Sequence, residues 1–86
     1  MNSELDSKYR LIRLKDVLNF TAISSSTHYM HIQQGLMVKP ISLGANSSAY
    51  PLYEIETINA ARISGKSDEE IKQLVSELMK KRSEVY

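Results

Sequence analysis

Apolar and polar positions follow two different periods along this chain, and each change of period marks an element. Arg10-Leu11-Ile12-Arg13-Leu14 sets apolar residues between basic ones and predicts a short edge strand. Lys15-Asp16-Val17-Leu18-Asn19-Phe20 predicts a short first helix, with an apolar pair and an acid in the first turn that suits the helix dipole. Thr21-Ala22 must then turn the chain, with Ala22 in place of the glycine such turns often carry. From Ser24 to Gly35 a helix of about three turns is expected. The Ser24 hydroxyl suits an orphan amide at its start, and Gly35 supplies the left-handed residue that ends it.

Leu36-Met37-Val38-Lys39-Pro40-Ile41-Ser42-Leu43 comes next, and Pro40 rules out helix and central strand there. What remains is an edge strand with Ile41 and Leu43 on one face. Gly44 to Ser48 reads as a turn, Ala49-Tyr50 as the returning strand, and Pro51 as the first position of a third helix. That helix runs to about Ser64, stops at Gly65, and places Leu52, Ile55, Ile58 and Arg62 on one side. The hairpin is expected to pack Ile41 and Leu43 against Ile55 and Ile58. Ser67 and Glu70 have the spacing of a capping box. Ile71, Leu74, Val75 and Leu78 then form a stripe backed by Met79, while Lys72, Glu77, Lys80 and Lys81 face water. The stripe spans barely two heptads, which favours packing within the chain, with weak self-association as the alternative.

Strand, two helices, hairpin, helix is a winged-helix order. The fold class is therefore mainly α with a small β-hairpin: a winged helix-turn-helix with an added C-terminal helix. Residues 1–8 are read as a flexible N-terminus and 9–65 as the winged helix-turn-helix domain. Residues 66–86 are read as a C-terminal amphipathic helix packed on the same domain.

Length and composition narrow the function classes. With 86 residues the chain holds one modest core and no deep substrate cavity beside it. It contains no cysteine, so neither disulfides nor a thiolate zinc site holds it together, and the cytoplasm is the expected compartment. No apolar run approaches the roughly 20 residues that span a bilayer, and the first residues lack the basic and apolar regions of a signal peptide. The formal net charge is +1, so any affinity for nucleic acid must come from local clusters. Lys8, Arg10, Arg13 and Lys15 crowd the first segment and Lys80, Lys81 and Arg82 the end, around a nearly uncharged middle.

Two sharper chemistries compete with plainer ones on the second helix. His28 and His31 share a helix face at i, i+3 spacing and could both ligate a metal. No cysteine or nearby carboxylate completes such a shell, so both are read as packed or half-exposed histidines, with no metal and no cofactor. Ser24 to Ser26 beside His28 offer a nucleophile and a base, but residues so close on one helix diverge. No enzyme activity and no small-molecule ligand are expected.

The order and spacing of several short stretches carry a resemblance. They are Arg10 to Leu14 with Val17, Ser24-Ser25-Ser26-Thr27-His28-Tyr29, Gly35, Lys39-Pro40-Ile41-Ser42-Leu43-Gly44, and Glu54-Ile55. The chain resembles the AlpA family of phage-type regulators, small winged-helix proteins related to excisionases and to the DNA-binding domains of MerR-type regulators. The resemblance implies binding to double-stranded DNA through the helix at Ser24 to Gln34 and a wing near Gly44, in the service of transcription or prophage excision. It also implies a direction for the helix: positions 28, 31 and 32 buried, and Ser25, Ser26, Tyr29, Met30 and Gln33 turned toward base edges. The apolar residues Tyr29, Ile32 and Leu36 alone would instead turn Thr27, Met30 and Gln34 outward. Arg10, Arg13, Lys15, Lys39, Ser47 and Ser48 are the candidate backbone contacts.

The chain departs from the family pattern at several positions. Members usually carry Arg or Lys at the places of Ser25, Met30 and Gln33, an Arg near Ser48, a Trp at Tyr50, and Leu at His28 and His31. An excisionase-like fold with so uncharged a helix could bind an integrase or another regulator without specific DNA binding, and that is the competing reading.

Overall fold

The computed structural model describes residues 9–85, so the expectations for residues 1–8, the charge of Lys8 included, lie outside the described residues. Strand β1 (Leu11–Ile12) is shorter than the stretch read from the sequence, because Leu14 already begins helix α1 (Leu14–Thr21). At helical spacing Leu14 packs beside the core along with buried Val17, which a continued strand would not allow. Ala22 ends α1 in the left-handed conformation, φ 59°, and donates its N–H to the Leu18 carbonyl at 2.9 Å. An alanine thus does what a glycine would do there without steric cost.

Helix α2 (Ser25–Gln34) has the two ends expected of it. Ser24 Oγ accepts from the Thr27 N–H at 3.2 Å, and Gly35 closes the helix at φ 79°. Leu36, Met37 and Val38 then cross the core as a buried linker before β2 (Ile41–Gly44), β3 (Ser47–Pro51) and helix α3 (Leu52–Ile63). The three strands form an antiparallel sheet in the order β1-β3-β2, which leaves both β1 and β2 as edges, consistent with Pro40 ahead of β2. Pro51 is the last strand residue and the N-cap of α3, one position earlier than read from the sequence.

The hairpin does not pack as its alternation suggested. Ser42 pairs with Ser48 and Gly44 with Ser47, so Leu43 is the extra residue of a bulge, and it is 47% exposed. Ile41 is only half-buried. Leu36, Met37, Val38 and Tyr50, and not Ile41 or Leu43, share the buried core cluster with Ile55 and Ile58. Ser47 and Ser48, read as turn residues, belong to β3, and Ala45-Asn46 alone make the turn.

Helix α4 (Asp68–Val85) starts in a reciprocal capping box: the Ser67 N–H donates to Glu70 Oε1 at 3.1 Å, and the Glu70 N–H donates to Ser67 Oγ at 3.2 Å. Ile71, Val75 and Leu78 are buried and Leu74 and Met79 half-buried against the same core as α3, so the apolar stripe packs within the chain. One polar contact ties the far end of α4 down. Arg82 Nη2 donates to Glu54 Oε1 at 2.6 Å, its Nε donates to Glu54 Oε2 at 3.0 Å, and Nη2 also reaches the Lys39 carbonyl at 2.8 Å. Glu54 is 1% exposed, so Arg82, read as one of a basic cluster at the end of the chain, is the counter-charge of a buried carboxylate. Arg62, placed with the apolar side of α3, is exposed. Among the described residues no helix is long and apolar enough to cross a membrane.

Candidate nucleic-acid interface

Helices α1 and α2, joined by Ala22-Ile23-Ser24, form the helix-turn-helix, and α2 divides cleanly into two faces. His28 is fully buried, and Thr27, His31 and Ile32 are half-buried on its side. Ser25, Ser26, Tyr29, Met30 and Gln33 are exposed, Tyr29 at 51% and Met30 at 47%. Of the three positions the resemblance implied as buried, His28 is buried and His31 and Ile32 are half-buried, while Tyr29 is not among the inward residues. Gln34 is exposed as well, at the margin of the outward face.

His28 is held by a contact between two elements. Its Nε2 lies 2.8 Å from the Tyr50 hydroxyl, with the rings edge to face at 5.2 Å between centroids, so α2 is pinned to β3. Its Nδ1 has no hydrogen-bond partner among the described residues. Burial, then the neighbouring His31, push the His28 pKa down, so the ring is neutral at ordinary pH. Burial, with Tyr29 adding to it, pushes the Tyr50 hydroxyl up to about 12. His31 is also lowered, by burial first and then by Arg62, with Asp68 opposing. Among the described residues no three His, Asp or Glu side chains are grouped to hold a metal.

The wing leaves the body at Gly44, φ 138°, and turns at Asn46, φ 60°; a Cβ at Gly44 would meet open space, so its constraint is conformational. No Lys or Arg lies between Gly44 and Tyr50. A cation reaches the wing from elsewhere: Arg13, the N-cap residue of α1, donates from Nη1 to Ser47 Oγ at 3.0 Å and to the Ser48 carbonyl at 3.2 Å. Among the backbone candidates the structure thus joins Arg13, Ser47 and Ser48 into one cluster. Arg10, Lys15 and Lys39 are separately exposed and make no ion pair among the described residues.

A family model described as prophage CP4-57 regulatory protein (AlpA) matches residues 10–63, which include both helices of the motif, the wing and α3. The chain belongs to the AlpA family. It is accordingly a prophage-type regulatory protein of a DNA-binding family, built as a winged helix-turn-helix. No curated protein and no solved structure matches the chain. Helix α4 lies beyond the matched residues, yet it supplies the partner of Glu54, which lies within them. Sequence reasoning missed both ends of that pair, the Arg13 bridge to the wing, and Tyr50 as the partner of His28. For the last there was a signal, because His28 and Tyr50 both depart from the family pattern.

Proposed function

We propose that this AlpA-family protein is a sequence-specific binder of double-stranded DNA that acts near an integrase gene or attachment site. The observation that carries this reading is the two-faced α2: a capped, anchored helix with Ser25, Ser26, Tyr29, Met30 and Gln33 together on its open side. Laid in the major groove, that face presents Gln33 to adenine for a bidentate contact and Met30 to a thymine methyl. Tyr29 rests its ring on the body and offers its hydroxyl to a phosphate. Arg10, Arg13, Lys15 and Lys39, with Ser47 and Ser48, contact the backbone. With three to five phosphates neutralised, log affinity falls against log salt with a slope of about −3 to −4.5.

The test compares Gln33→Ala with Gln34→Ala on a specific site, found among the protein's own upstream region and a neighbouring integrase region, at fixed salt. Loss of the adenine contact costs about 1–3 kcal/mol and relaxes specificity, while Gln34→Ala stays close to wild type. The reverse result places the groove-facing side around Gln34. The exposed Tyr29 and Met30 on a helix without a charged residue favour a second reading, an interaction surface for an integrase or regulator. Binding to such a protein with no duplex shifted even at low salt would establish that reading instead.

A further inference from the structure

The Arg13 side chain is held on the wing by acceptors that leave its charge intact. Ser47 Oγ and the Ser48 carbonyl are both neutral, and among the described residues no carboxylate pairs with Arg13. One nitrogen, Nη1, makes both contacts, while Nη2 and Nε donate to no acceptor among the described residues and the side chain is exposed. Because Ser47 Oγ accepts from Arg13, the hydroxyl's own proton remains to be donated elsewhere. A serine that receives a hydrogen bond from a cation is also a better donor, since the bond polarises its O–H.

We propose that Arg13 and Ser47 form one phosphate clip, in which Nη2 of the guanidinium and the Ser47 hydroxyl close together on the non-bridging oxygens of a single phosphodiester. The planar guanidinium suits that geometry, and because Nη1 is already anchored, little rotamer freedom remains to be lost on binding. The clip rests on the DNA-binding reading and deepens it. The wing contact and the contact from the start of α1 are then a single site made by residues 34 apart in sequence. A wing that itself carries no Lys or Arg thus borrows its charge.

The experiment measures affinity against salt for the wild type, Arg13→Gln, Ser47→Ala and the double variant on one binding duplex, with thermal melts of each. Arg13→Gln makes the salt slope shallower by about 0.9, the value of one phosphate. Ser47→Ala weakens binding and leaves the slope in place, and the double variant binds as Arg13→Gln does. An unchanged slope for Arg13→Gln, or single effects that simply multiply in the double variant, overturns the clip. Should Arg13→Gln fail to fold, duplexes with a single neutral methylphosphonate decide. One position must exist where neutralisation weakens the wild type and abolishes the deficit of Ser47→Ala, and the absence of any such position overturns the clip. A wild type that shifts no duplex refutes the DNA-binding reading and the clip together; a wild type that binds while these tests fail refutes the clip alone.

Discussion

Removing either partner of the His28–Tyr50 contact should cost far more than removing both. Tyr50→Phe keeps the ring and deletes only the hydroxyl 2.8 Å from His28 Nε2, in a site where both residues are buried. The ring then has two nitrogens without partners instead of one. A buried polar group left unsatisfied costs about 1–3 kcal/mol, and in a domain of this size each kcal/mol lowers Tm by about 4–8 °C. His28→Leu leaves the Tyr50 hydroxyl unpaired and should cost a similar amount. The double variant His28→Leu/Tyr50→Phe has nothing left to satisfy, and it should melt close to wild type because paired replacement by apolar groups is nearly neutral. Thermal and chemical denaturation followed by circular dichroism at pH 7.5 give the cycle. A double variant whose loss equals the sum of the single losses would refute the reasoning, since the two side chains would then be acting independently.

Two other measurements probe the polar groups the fold buries. Arg82→Met leaves the Glu54 carboxylate buried without its counter-charge and should destabilise by about 3–5 kcal/mol, while Glu54→Gln/Arg82→Met recovers most of that loss; equal stability of Arg82→Met and wild type would reject the pair as a stabilising unit. Stability should also fall with acid. The folded His28 and His31 pKa values lie below their ordinary value, so the unfolded chain binds more protons, and their contribution is complete above about pH 6.5 and is lost as pH drops below it toward the folded values. His28→Leu in the Tyr50→Phe background should flatten the profile of the denaturation midpoint between pH 7.5 and 5.5.

Much of the fold was legible because its boundaries are set by local chemistry. Ser24, Gly35, Ser67 with Glu70, and Pro40 act through their own backbone neighbours, and each does in the structure what its residue type requires. The errors fall where the deciding partner is distant in sequence. Leu43 alternates correctly with Ile41, yet a bulge set by pairing with Ser47 and Ser48 expels it. Nothing in Leu36-Met37-Val38 distinguishes a strand from a buried crossing; only the tertiary core it joins, with Ile55 and Ile58 among its members, decides.

The buried ion pair shows how a tertiary contact can be written in a periodic pattern and still be misread. Ile71, Val75 and Leu78 recur at four- and three-residue steps, and the next step of four lands on Arg82. On α3, Glu54 precedes Ile58 by four residues and half-buried Ala61 by seven. Each charged residue continues an apolar stripe, and a charge at such a position survives only with a partner. Reading Arg82 by composition, as one of three basic residues near the end of the chain, hid its periodic position. The same distinction bears on the interface. Arg13 is tied to the wing strand β3 and Arg82 to α3 and the linker before β2, but Arg82 is neutralised by a carboxylate and Arg13 is not. Of the two, only Arg13 retains the charge that a phosphate requires, so the count of cations available to DNA depends on the partner each has inside the fold and not on the basic runs in the sequence.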